Sequence, residues 1–284
     1  MNNPLSASAA LLGRTVLVTG TDTDVGKTYA TAALAVAGWY AGRRRIAVYK
    51  PQQTGMRGED PGDVHDVARL ALAAGVPSAA LTVAEGQRLT EPMAPPPAAA
   101  IDGVELLPLT AHVRKIVELQ ETHDLVLVEG SGGVLVELDG QRHTIADLAV
   151  AVQELAPQET ADQGATQQRE AAARRADVGK GRAGVTATPG PAPVATPATP
   201  GPASVSTVLV ARPDLGTLNH TLLSLEALLH RGVHVAGVVL GSWPGDPDRL
   251  QESNRDYLAD LPEIRGERIP LLGAVPRGWG ASGE

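Results

Sequence analysis

Along the chain, short apolar runs alternate with longer amphipathic stretches. Residues 15–19, TVLVT, form a β-branched run, and an alanine-rich helical pattern follows from Lys27 to about residue 41, where Gly42 ends it. Residues 45–50, RIAVYK, predict a second strand stopped by Pro51. Residues 63–74 repeat apolar side chains at helical spacing and close on Gly75 and Pro77. Residues 84–108 are irregular and proline-rich, the kind of loop that often lines a binding site. Residues 110–120 read as a helix. Residues 125–128, LVLV, are apolar without a break, as a central parallel strand covered on both faces requires. Residues 144–155 predict a helix capped by Thr144. Farther on, residues 207–211, 234–240 and 269–275 read as strands, and residues 218–230 and 247–260 as helices. Strands alternating with helices predict an α/β fold: one doubly wound, mostly parallel sheet that binds its ligand at the carboxyl ends of the strands.

The pattern breaks once. Residues 158–204 carry glutamine, alanine and charge, then a Pro/Thr/Ala/Gly tract, and hold too little bulky apolar content to bury. They are expected to be a disordered insertion in a single domain made of residues 14–157 and 205–280. Residues 1–13 lack a basic region ahead of an apolar core, so they are expected to be a flexible tail and not a signal peptide.

Composition narrows the function classes. The 284 residues carry a formal net charge of −8, which argues against a nucleic-acid partner. No run of 18 apolar residues suggests a membrane span. Cysteine is absent, which removes disulfides, thiolate nucleophiles and cysteine metal sites and fits a cytoplasmic protein.

The candidate chemistry begins at residues 20–28, GTDTDVGKT, between the first strand and the first helix. Strand, glycine-bounded loop, Gly-Lys-Thr and helix form the layout of a phosphate-binding loop. Backbone N–H groups and the helix dipole favour an anion there. Lys27 offers a charge to the outer phosphates, and Thr28 offers a hydroxyl to a magnesium ion. Five residues separate the glycines where four are usual, and Thr21 stands where the first glycine would. Other polar groups follow the predicted strands: Lys50, Gln52, Gln53 and Thr54, then Asp63 and Asp66, then Glu129-Gly130-Ser131-Gly132-Gly133. Glu129 ends an apolar strand, the usual place of a metal-facing carboxylate that partners a P-loop threonine. Asp63 is equally readable as a helix cap, Asp66 as a solvated helix residue, and Glu137 and Asp139 as surface-turn residues.

Four segments together, GTDTDVGKT (20–28), YKPQQTG (49–55), VEGSGG (128–133) and ARPDLGTLNHT (211–221), resemble the dethiobiotin synthetases, ATP-dependent enzymes of biotin synthesis. The resemblance spans about 14–150 and 205–276. It implies that 7,8-diaminopelargonate, CO2 or bicarbonate, and ATP are the substrates. A carbamate formed on one amine would attack the γ-phosphate, and the second amine would close the ring by displacing phosphate. By resemblance Lys27 and Lys50 are catalytic, and Thr28, Asp63 and Glu129 hold Mg²⁺. Asp24, Val25, Gly26, Lys27, Thr28, Tyr29, Glu129, Gly130, Ser131, Gly132, Gly241, Pro276 and Gly278 fall to the nucleotide. Thr23, Thr54, Leu218 and Asn219 fall to the diamine, with Asn219 reaching it across a homodimer interface. Family members often carry an adenine-reading Asn where this chain has Gly241, so relaxed base selectivity is expected. The alternative is a P-loop ATPase acting as a partner-binding switch or partitioning module. Such proteins often carry a second lysine early in the loop, where this chain reads TDTD.

Overall fold

The computed structural model describes residues 3–155 and 205–280. The expected insertion at 158–204 lies outside the described residues. Seven strands form one sheet: β1 (Thr15–Gly20), β2 (Ile46–Gln53), β3 (Leu81–Arg88), β4 (Leu125–Gly133), β5 (Val205–Ala211), β6 (Val235–Trp243) and β7 (Leu271–Pro276). Their spatial order is β3-β2-β4-β1-β5-β6-β7, and every pairing is parallel. Among the described residues seven α-helices cross between them: α1 (Lys27–Tyr40), α2 (Asp63–Ala73), α3 (Pro95–Asp102), α4 (Leu109–Thr122), α5 (Ile145–Leu155), α6 (Thr217–His230) and α7 (Arg249–Ala259). Helices cover both faces, so the central strands are apolar on both sides, and the two main clusters of buried side chains lie one on each face. Among the described residues no helix is long and apolar enough to cross a membrane.

Four local expectations change. The N-terminal segment is packed rather than frayed. Residues Ser6–Leu11 form a 3-10 helix, Leu5 and Leu12 are buried, and Ser8 Oγ donates to Leu272 O at 2.9 Å. These leucines cover apolar surface along α1 and β7 that would otherwise meet water. Strand β2 runs through Pro51 to Gln53, because its ladder with β4 ends at Tyr49↔Val128 and the proline removes no bond there. Within residues 84–108, expected to be irregular, lie most of β3 and all of α3. Edge strand β3 has no buried position, which hides it from an apolar-run reading. Asp139 is buried rather than on the surface. It accepts bonds from the N–H groups of Leu109, Gln141 and His143 and from His143 Nδ1 at 2.7 Å. Burial works against its charge, but His143 and those three backbone groups outweigh it and hold the carboxyl below its usual range.

Beneath the carboxyl end of β2, His112 is fully buried, with Nδ1 2.7 Å from the Tyr49 hydroxyl. Gln52 beside it donates to Leu138 O at 2.8 Å. Burial lowers the His112 pKa to about 4 from an ordinary value of 6.5. The unfolded chain therefore binds a proton that the folded chain refuses between those two values. Stability is retained above pH 6.5 and falls as pH drops toward 4. Between pH 7 and pH 5 the imidazole accounts for about 2 kcal/mol of lost stability. Urea unfolding at both pH values checks this. The loss should shrink by that amount in His112→Asn, and an equal loss in both proteins would refute the assignment.

Candidate active site

Strand order decides which side chains meet. β4 lies between β2 and β1, so the residues ending these three strands converge at one mouth. There a cleft of about 400 Å³ is lined by the P-loop, by Lys50, Gln53, Thr54 and Met56, by Asp63 and Asp66, by Glu129, Ser131 and Gly132, and by Ser242.

The P-loop follows β1 because Thr21 N donates to Val210 O of β5 at 2.9 Å, which continues the ladder one residue past the strand. Gly26 caps α1 at φ 92°, a conformation natural to glycine. A Cβ there would also crowd Ser242 and Gly241, 3.1–3.2 Å away. Val25 is buried under the loop, while Asp22, Thr23 and Asp24 are exposed. Lys27 is buried, and its ammonium donates to Asp22 O at 2.9 Å. Burial and the neighbouring Lys50 charge bring its pKa down to about 8, although Glu129, Asp63 and Asp24 oppose the shift.

Glu129 is the centre of the cluster and is only 1% exposed. Its Oε1 accepts from Lys50 Nζ at 2.9 Å and from Thr28 Oγ1 at 3.1 Å, and its Oε2 accepts from Thr31 Oγ1 at 2.8 Å. Lys50 also donates to Asp63 Oδ2. Burial disfavours the Lys50 ammonium, but Glu129 and Asp63 more than offset it and raise its pKa. Asp63 is the first residue of α2, behind a Gly62 cap, so it is not the cap itself. Gln53 Oε1 accepts from Asp63 N at 2.9 Å and so satisfies an open donor of that helix.

Thr28, Asp63 and Glu129 all line the cleft with hard oxygen donors, the chemistry that suits magnesium. Both Glu129 oxygens already accept hydrogen bonds, which fits an ion that keeps several of its waters. The cleft hydroxyls of Thr28 and Ser131 are tied up in hydrogen bonds, Thr28 Oγ1 to Glu129 Oε1. Ser131 Oγ donates to Gln52 O at 2.6 Å. The arrangement suits neutralising and orienting phosphates, not forming an acyl-enzyme.

A family model described as AAA domain matches residues 14–154 and 203–279. The chain is 38% identical over 265 residues to the ATP-dependent dethiobiotin synthetase BioD of Rhodococcus erythropolis, which covers 93% of this chain and 89% of that protein. The Streptomyces coelicolor protein of the same name is 37% identical, over 94% of this chain and 85% of its own length. The Mycolicibacterium vanbaalenii one is 36% identical, over 94% and 89%. The chain belongs to the dethiobiotin synthetase family.

Of the residues expected at the site of a dethiobiotin synthetase, the structure gathers Thr23, Asp24, Gly26, Lys27, Thr28, Tyr29, Lys50, Thr54, Asp63, Glu129, Ser131 and Gly132 around the cleft. Gly130 lies behind it against Ile145. Pro276, the last residue of β7, and Gly278 beyond it are exposed and do not line it, while Leu218 and Asn219 stand apart on the first turn of α6. Thr31 and Ser242 are additions that the sequence reading did not single out. Thr31 was accessible by spacing, since it sits one turn after Thr28 on the same face of α1. Ser242, at φ 53°, is the penultimate residue of β6, placed by an irregularity in the register with β7 for which no motif speaks.

Gly241 has a structural reason as well. It is buried, and a Cβ on it would lie 2.0 Å from Val25 O of the P-loop. Overpacking of this kind costs about 1–3 kcal/mol, and here it falls on the phosphate loop. Gly241→Ala should therefore lose about tenfold in ATP affinity while staying folded. Titration calorimetry measures this, and unchanged affinity would show that the loop does not depend on position 241.

Proposed function

We propose that this chain catalyses the ATP-dependent closure of 7,8-diaminopelargonate with CO2 to dethiobiotin in biotin synthesis, in the cytoplasm. The observation that carries the reading is Lys50: a buried ammonium held between Glu129 and Asp63, beside the P-loop. A switch ATPase has no need of that group, nor of Thr54 beside it.

The chemistry joins two anions. One amine of the diamine takes up CO2 as a carbamate. A carbamate oxygen attacks the γ-phosphorus, the bond to the β–γ bridging oxygen breaks, and ADP leaves. The second amine then attacks the carbonyl carbon of the carbamic–phosphoric anhydride, phosphate departs, and the amine loses its proton. Lys27 exchanges the Asp22 carbonyl for the phosphates. Lys50 stands where carbamate and γ-phosphate would meet and neutralises both. Thr23 and Thr54 orient the carbamate or diamine by hydrogen bonds. Thr28, Asp63 and Glu129 would hold Mg²⁺, which supplies charge neutralisation on the phosphate oxygens when bound. Positioning and electrostatics suffice for such a transfer.

Phosphate release with ATP, Mg²⁺ and bicarbonate should require the diamine and yield dethiobiotin. Lys50→Gln should cut the rate by about 100-fold or more. Diamine-independent release would favour the switch ATPase. Gly241 offers no amide to a base, so GTP and CTP should support turnover in the same assay. Rates below about a hundredth of that with ATP would reject relaxed selectivity.

A homodimer belongs to the same reading. Leu215 and Leu223 are 82% and 61% exposed on either side of exposed Asn219, which suits a face covered by a second copy that receives Asn219. Sedimentation should find a dimer that Leu223→Asp converts to monomer with loss of turnover. A native monomer with full activity would rule this face out.

A further inference from the structure

The mouth of the cleft carries more negative than positive charge. Asp24, Asp63, Asp66 and Glu129 line a site read as taking a triphosphate and Asp22 stands on its P-loop, against Lys27, Lys50 and Arg69. A further cation is Arg212, one residue past the end of β5, with Nη2 2.6 Å from Asp22 Oδ2. Asp22 Oδ1 accepts from Thr23 N at 2.7 Å, and Asp22 O holds the Lys27 ammonium. One residue thus bonds to Arg212, to the implied diamine ligand and to the phosphate-binding lysine. Arg212 itself is anchored. The next residues, Pro213 and Asp214, are held from α7 by Asn254 Nδ2 on Pro213 O at 2.9 Å and Gln251 Nε2 on Asp214 Oδ1 at 3.0 Å. Among the described residues the buried Arg212 Nε has no partner, so Asp22 is the acceptor its guanidinium serves.

We propose that Arg212 is a positioning residue that neutralises Asp22, so that the front half of the P-loop accepts a triphosphate without repelling it. The front half needs an outside tether. Residues 22–24 are exposed, and Asp24 sits at φ 57° without being glycine. Removing Arg212 leaves an uncompensated carboxylate on the loop that receives the phosphates. Removing Asp22 as well takes that charge away again. A packing role for Arg212 predicts no such rescue.

The inference rests on the nucleotide reading above, and the test separates the two. Binding of a non-hydrolysable ATP analogue with Mg²⁺ is measured by calorimetry without diamine, on the full chain. The proteins are the native one, Arg212→Ala, Arg212→Lys, Asp22→Asn, and Arg212→Ala with Asp22→Asn. Asp22 is more than half exposed, so the effect is screened and Arg212→Ala should weaken binding about fivefold. Arg212→Lys should bind nearly as the native protein does. The double variant should match Asp22→Asn within about twofold, and at about 0.5 M salt the deficit should close. Native affinity in Arg212→Ala overturns the inference, and so does a double variant as weak as Arg212→Ala. A native protein that binds no nucleotide would instead remove the reading beneath it.

Discussion

Glu129 is the constraint on which the site depends. A carboxylate this deeply buried in the middle of β4, an inner strand, is costly unless it is paired and hydrogen-bonded. The sheet supplies the partners by its order. β2 on one side delivers Lys50, and the helix that follows β1 on the other delivers Thr28 and Thr31. Lys50 is buried as well and needs a second anion, which Asp63 provides from the first residue of α2. Two crossover helices, α1 and α2, are therefore tied to one buried charge cluster.

Much of this could be read beforehand, because the signals were local. The P-loop motif, the LVLV run before Glu129 and the helix starting at Asp63 each lie in one continuous segment, and parallel topology brings their ends to one side. What stayed hidden depends on partners distant in sequence. β3 carries half-exposed side chains because it is an edge strand, and its membership is decided by pairing with β2, including Lys50↔Glu85. Leu5 and Leu12 look like tail residues until α1 and β7 present apolar surface to them. Asp139 looks like a surface acid until α4 and residues 141–143 close over it. Glycine at 241 read as a missing base contact, while its geometry records the approach of the P-loop backbone to β6.

That approach shows how tightly the mouth is assembled. Gly26 and Gly241 face each other without side chains, so the P-loop that follows β1 meets β6 at backbone distance although β5 separates the two strands. The ion pair of Arg212 with Asp22 bridges the neighbouring ends of β5 and β1. The phosphate loop is therefore braced from two strands on one flank, while Glu129 and Lys50 stand on the other. The loop's exposed front half is held by these neighbours as well as by its own bonds, from Thr23 N and the Lys27 ammonium to Asp22.

Both lysines are compensated by protein groups. Lys27 donates to a backbone carbonyl, and Lys50 donates to two carboxylates. A buried ammonium without partners would give up its proton or loosen the fold. These partners let the protein hold two cations in place. A carbonyl is the weaker hold of the two, since it carries no net charge. The Lys27 ammonium is therefore held less firmly than that of Lys50, which two carboxylates tie to α2 and to β4 at once.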